Sequence, residues 1–187
     1  MSEIIQPACT LGDLKIYLKI SEEDESKDAL LNLLLESCTI AAERYMGRYI
    51  IAREITEEPH DFENGKSKYL QLEQYPVFEI SKIIQNGEEI EVSSLKADKY
   101  NGLIKKSTPW RGAVLASYKA GIAASQESVP ANIRLAICCW IASMLSEQES
   151  GGVKSETLGD YSVSYYDERQ VPPSSAVLLE SYRKVNL

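Results

Sequence analysis

A chain of 187 residues is long enough for one domain, or for one core with an inserted lobe. Its 44% apolar and 26% charged residues are ordinary for a soluble globular protein, and no apolar run nears the roughly 20 residues of a membrane-spanning helix. Twenty-eight acids against twenty bases leave a formal charge of −8, which argues against tight nucleic-acid binding, since no basic cluster is visible. The first residues, MSEIIQPACT, lack a basic start and a long apolar stretch, so no secretory signal is expected and the chain is expected in the cytoplasm where it is made.

Residues 10–19, TLGDLKIYLK, open the first predicted helix. Thr10 and Asp13 stand at capping-box spacing, and Leu11, Leu14 and Leu18 fall on one face. A longer helix is predicted over roughly 26–48. There Leu31, Leu34, Cys38, Ala41 and Tyr45 recur at three- and four-residue steps, and Gly47 supplies a stop. The acid-rich runs SEEDESKD (21–28) and EITEEPHDFE (54–63) read as solvated surface, and EEPHDFENG as a polar loop-like stretch.

From about 50 to 122 the period changes to two. SKYLQLEQYPVFEISKIIQNGEEIEV holds strand-like runs broken by Pro76, and Asn86–Gly87 is a strong hairpin signal. Asn101–Gly102 joins ADKY to LIKK in the same manner, and GAVLASYKAG reads as a strand ended by Gly121. Helical spacing returns after Val129–Pro130. ANIRLAICCWIASML is apolar nearly all round, with Ile133, Ile137, Trp140 and Met144 on one side and Leu135, Ala142 and Leu145 on others, as in a helix buried on most faces. PPSSAVLLESYRKVNL reads as a closing helix with Leu178 and Tyr182 on one face. The expected fold is α+β: mainly an α-helical bundle (1–49 and 123–187, including a strand-like segment at 158–166) with an inserted small antiparallel β-sheet lobe at 50–122.

Chemistry-bearing constellations are sparse. His60 is the one histidine, and a His60–Asp61 acid/base pair would need a nucleophile motif that is not present. Glu156 and Asp160 lie in a glycine-containing stretch without the spacing of a cation loop. Cys9, Cys38, Cys138 and Cys139 form no CxxC pair or Cys/His cluster and read as reduced, mostly buried thiols. No catalysis, cofactor or metal is expected.

Tyrosine usage points to contacts instead. Eleven Tyr stand against two Phe, and three of them crowd the alternating segment around YSVSYY, which follows Gly151–Gly152 and has no evident partner strand. Such an edge must be paired, covered or solvated: it could return to the middle sheet of its own chain or add to a neighbouring subunit. The candidates for a subunit contact are Leu158, Asp160, Tyr161, Val163, Tyr165 and Tyr166.

The order AAERYMGR, YPV, YKAG, VP before a helix, and SETLGDYSVSY resembles the head–tail connector (adaptor) proteins of long-tailed phages and prophages, over about residues 10 to 183. The resemblance implies a non-enzymatic virion part in the phage neck, made and assembled in the host cytoplasm. It implies a homo-oligomeric ring, a dodecamer when assembled, with a monomer in isolation left open. That ring would sit beneath the portal protein, extend a channel through which DNA passes without specific binding, and offer a platform to the stopper or tail-side connector. Portal contact would fall to 172–187, with Leu178, Tyr182, Arg183 and Lys184 as candidates. Compact members of that family have little β-structure, so the 50–122 segment is a departure in size. Two other readings stand beside it: a cytoplasmic protein- or peptide-binding module, and a small hydrolase using His60 with Asp61 or Asp160.

Overall fold

The computed structural model describes residues 5–63, 67–149, 155–158, 161–164 and 171–184. The chain is α+β and divides into two units, Met1–Gly47 with Val129–Leu187, and Arg48–Ser128.

In the first unit, α1 (Leu11–Leu18) starts at Thr10, whose extended backbone lets its hydroxyl accept from the Asp13 amide at 3.0 Å. The Asp13 carboxylate does not return to the cap but meets Arg134 at 2.9 Å, tying α1 to the third helix. Helix α2 (Asp28–Met46) ends at Gly47 with a left-handed φ of 68°. Its buried stripe is Leu31, Leu35, Cys38, Ala42 and Met46, about one residue round from the stripe expected from spacing. Leu34, Ala41 and Tyr45 are half-buried flanks. The run LLNLLL satisfies more than one helical stripe, and the packing of α1 and α3 decides between them.

Helix α3 (Ala131–Glu149) follows Pro130 directly and buries Ile133, Ala136, Ile137, Cys138 and Ile141. It is not buried on most faces: Leu135 and Met144 are exposed and Trp140 is half-buried. Its 137–139 turn divides the adjacent cysteines as helical geometry requires. Cys138 Sγ lies 3.5 Å from Cys9 Sγ, while Cys139 Sγ lies 3.3 Å from the Tyr17 hydroxyl. Helix α4 (Pro173–Leu179) packs on α3 through buried Leu179 and through Ser175, whose hydroxyl donates to the Ala136 carbonyl at 2.9 Å.

The second unit holds two antiparallel sheets, where the sequence suggested one small sheet. Its strands are β1 (Arg53–Phe62), β2 (Tyr69–Gln71), β3 (Val77–Gln85), β4 (Glu88–Ile90), β5 (Lys96–Asp98), β6 (Leu103–Lys105) and β7 (Gly112–Ala120). The larger sheet has the order β1-β7-β3-β4 and the smaller β2-β6-β5. Alternation along β7 buries Val114, Ala116, Tyr118 and Ala120. They share a core with Leu70 and Ile104 of the smaller sheet and with Trp110, which stacks on Phe62. Asn86 and Gly87 take φ 53° and 85°, the left-handed pair that a two-residue hairpin between β3 and β4 requires.

Residues 57–62 of the EEPHDFENG stretch belong to strand β1 and are not a loop. Pro59 made them look otherwise, but β1 is an edge strand, where proline removes no needed donor, and a bulge at Glu57 (φ 54°) absorbs the irregularity. The segment at 158–166 is also corrected. A strand β8 (Ser155–Leu158) pairs antiparallel with β9 (Tyr161–Ser164), so the tyrosine strand has a partner in its own chain. Four polar-rich residues of SETL gave no strand periodicity to read.

Gly121 ends β7 where the chain passes the Ala52 backbone: a methyl group there would stand 2.5 Å from Ala52 Cα and N. Backbone atoms cannot swing aside as a side chain can. Gly121→Ala is therefore expected to destabilise the β unit by about 2 kcal/mol, read as a lower denaturation midpoint; an unchanged midpoint would show that the close approach relaxes freely.

Candidate assembly interface

Of the six subunit-contact candidates, Tyr161 and Val163 lie on β9 and Leu158 lies at the end of β8, on the opposing strand. In register, Leu158 faces Tyr161 and Glu156 faces Val163. Asp160, Tyr165 and Tyr166 lie outside the described residues. The two-stranded sheet leaves one edge of each strand without a ladder partner among the described residues.

The portal-contact candidates occupy the end of the described chain. Leu178 is half-buried on α4, next to the fully buried Leu179, and Tyr182 is half-buried in a 3-10 turn, Glu180–Tyr182. This end is fastened to the C-terminus of α2. The Tyr45 hydroxyl donates to Glu180 Oε2 at 2.8 Å, and Arg183 lies over the Tyr45 ring at 5.2 Å while pairing with Glu180 at 3.0 Å. The Lys184 amide donates to the Met46 carbonyl at 2.7 Å, satisfying one of the last carbonyls of α2. Sequence spacing did not reveal Tyr45 and Glu180 as partners, because 135 residues separate them.

His60 is not an exposed loop residue. It sits half-buried on β1, two positions from Glu58 and so on the same face, with Nε2 2.8 Å from Glu58 Oε1. Asp61 is exposed on the opposite face and forms no pair with it. Glu58 also accepts from the Tyr118 hydroxyl and, at 2.9 Å, from the Glu73 amide. Burial pushes the Glu58 carboxyl up, but the hydrogen bonds from His60, Tyr118 and Glu73 outweigh it and hold the group below the usual carboxylate range. Burial first, and the bond to Glu58 second, push the Tyr118 hydroxyl up. The cluster is a structural knot: the Tyr118 hydroxyl and the Glu73 amide donate to Glu58, and the His60 ring stands at ion-pair distance from it.

Cys9, Cys38 and Cys138 are buried and all four thiols are free. The Cys9 thiol is held protonated by its bond to Cys138 and by burial. Among the described residues, no group of three or more His, Cys, Asp or Glu side chains is placed to hold a metal ion, and no helix is long and apolar enough to cross a membrane.

The whole fold is similar to chains of gene transfer agent particles. It matches a chain of the neck of an empty gene transfer agent particle computed with C6 symmetry at a TM-score of 0.62 and 18% identity, over 100% of this chain and 96% of that one. A chain from the virion of a native gene transfer agent particle matches at 0.61 and 16%, with the same coverage. A chain from the neck of the native particle computed with C12 symmetry matches at 0.56 and 16%, over 99% and 97%. No curated protein matches. The head completion protein family matches residues 8–185, and the chain belongs to that family. Since the structural matches span the full chain, the β unit belongs to the shared fold and is not an addition to it.

Because its folded-state affinity for protons is depressed, Glu58 contributes stability that is complete above the ordinary glutamate range, near about 4.3, and lost as pH falls through the lower folded-state value. Glu58→Gln is expected to cost about 1–2 kcal/mol at pH 7. In urea unfolding followed by tryptophan fluorescence, the gap between wild type and variant should narrow below about pH 4; a pH-independent gap would remove the charge from the account.

Proposed function

We propose that the chain is a structural subunit of the neck of a phage-like virion, a connector without catalytic activity. Copies assemble head to tail into a closed ring, a dodecamer, beneath the portal. The ring extends the DNA channel and offers a docking platform to the stopper or tail-side connector. The helical unit forms the ring body, with the β unit as its inserted lobe. The observation that carries this reading is the family match over residues 8–185, and the full-length likeness to neck chains of particles computed with sixfold and twelvefold symmetry supports it.

The β8–β9 hairpin supplies a means of closure. A two-stranded sheet is marginal by itself in water, and a third strand from a sister copy would satisfy an open row of backbone donors and acceptors. Tyr161 and Val163, with Leu158, Asp160, Tyr165 and Tyr166, are the proposed subunit-contact residues. Leu178, Tyr182, Arg183 and Lys184 are the proposed portal contacts, presented on a segment that α2 already holds in place. DNA passes the acidic subunits without specific binding, because a chain of charge −8 offers phosphates little to hold.

Negative-stain imaging of the purified protein, alone and mixed with its portal, is the direct test, with closed rings or portal-bound particles as the expected result. Val163→Asp is expected to abolish that assembly while leaving the far-UV circular dichroism and unfolding midpoint of the monomer unchanged. Rings formed by this variant would take β9 out of the joint, and a one-to-one complex with no ring under any condition would favour a simple binding module.

A further inference from the structure

The smaller sheet of the β unit carries a charge arrangement that its own chain does not resolve. Across its three strands, Tyr69 faces Lys105 and Lys105 faces Lys96, all on the side away from buried Leu70 and Ile104. Two ammonium side chains directly opposite each other on neighbouring strands repel. In a chain with 28 acids, a carboxylate between them would be the simplest relief, yet neither lysine makes an ion pair among the described residues. Lys105 rests over the Tyr69 ring at 5.2 Å. With Leu103, Ala97 and Asp98 these residues line an open cavity of about 310 Å³. Its one acid, Asp98, is engaged by Asn101 through the amide at 3.2 Å and Nδ2 at 2.8 Å, bonds that hold its carboxyl below the usual range. The result is an open, concave site beside the Tyr69 ring, with two cations against one carboxylate and no ion pair between them among the described residues.

The complementary feature lies in the other unit. Glu22, Glu23 and Glu25 are exposed in the connection between α1 and α2 and make no ion pair among the described residues. That connection is set in a fixed shape. Lys15, buried at 4% exposure, reaches the Glu22 carbonyl at 3.2 Å and Asp28 at 2.7 Å. Asp24 accepts from the Ser26 amide at 3.0 Å, and the Asp28 amide donates to the Glu25 carbonyl at 3.2 Å. An acidic loop ordered in this way loses little conformational entropy on docking.

From this we infer that the Tyr69–Lys96–Lys105 cavity is a carboxylate-binding site occupied by the Glu22–Glu25 loop of a second copy of this chain. The inference rests on the ring proposed above and names a contact within it. Two different surfaces of one chain meet, which is the heterologous geometry that builds rings, and the pairing relieves the lysine repulsion that the isolated subunit carries. A nucleic-acid phosphate would also answer two lysines, but the surrounding surface of a chain at −8 opposes it.

The test uses full-length protein mixed from normal and nitrogen-15-labelled pools and, where rings form, the rings themselves. Zero-length carbodiimide coupling followed by mass spectrometry should yield amide links from Lys96 or Lys105 to Glu22, Glu23 or Glu25 between differently labelled copies. Lys96→Glu with Lys105→Glu should weaken self-association at least tenfold with no fall in unfolding midpoint. Mixing that variant with Glu22→Lys/Glu23→Lys/Glu25→Lys should restore it. Absence of the cross-links together with wild-type association by the charge-reversed protein overturns the contact while leaving the ring standing. Loss of short-duplex DNA binding in the lysine variant, with self-association intact, also overturns it and names phosphate as the occupant. A protein that never assembles in the presence of its portal defeats the ring reading itself, and the contact with it.

Discussion

Burying the hydroxyl of Tyr118 sets the terms for the β unit. The residue is fully buried near the C-terminal end of β7, the strand that pairs with β1 on one side and β3 on the other. A buried hydroxyl left without a partner costs about 1–3 kcal/mol, so the strand beside it must bring an acceptor. Glu58 is that acceptor, and the Gln74 amide completes the hydroxyl at 3.1 Å. Once a carboxylate is drawn inside, its second oxygen must also be answered, and His60 and the Glu73 amide do so. The register shift at Glu57 belongs to the same requirement. It lies between Ile55, opposite Tyr118, and Glu58, opposite Ala116, while the Glu57 amide bonds to Ser117 at 3.0 Å. One buried oxygen thus fixes the register of an edge strand and the path of the chain before β3.

The helical unit has a different centre. Helix α3 receives Arg134–Asp13 and Cys139–Tyr17 from α1, Cys138–Cys9 from the segment before it, Cys38 from α2 against Met144, and Ser175 from α4. Sulfur and small side chains dominate these contacts, which lets helices approach closely without large interdigitating groups. The closing segment then bonds back to the end of α2, so the two chain ends of this unit are held by the same helices.

How far the sequence foretold this depends on which physical signal each residue carried. Asn86–Gly87 and Gly47 announced themselves because positive φ narrows the choice of residue, and β7 did because its alternation is clean. Residues 54–63 did not. Their acids and proline mimic a loop, and what makes them a strand is Tyr118, more than 50 positions away in the chain. Helix α2 was legible as a helix but its buried face was not, since Leu30, Leu31, Leu33, Leu34 and Leu35 fit several stripes and burial is settled by neighbours. The tyrosine strand was recognised and its partner missed, because Ser155–Leu158 pairs through backbone groups that any residue owns. The contact of Glu58 with His60 was within reach: an i, i+2 pair shares a face as soon as the segment is taken for a strand.

Charge places the strongest constraint on assembly. Copies carrying −8 repel one another beyond contact, and at physiological salt that repulsion is screened over about 8 Å. A ring of such copies therefore gains little from long-range attraction. If it closes, it does so by contacts that act at short range, such as the backbone pairing and the lysine site proposed above, where cations make no ion pair within the described chain. In the β unit, Lys82 is committed to Glu89, and Lys99 and Lys106 to neutral oxygens of Phe78 and Gln85. Lys96 and Lys105 are not so committed, and they stand opposite each other in a concave site. In the ring proposed above, an acidic subunit has reason to keep such a pair without an ion partner: the repulsion is small in the free subunit, and its relief would come with the next subunit.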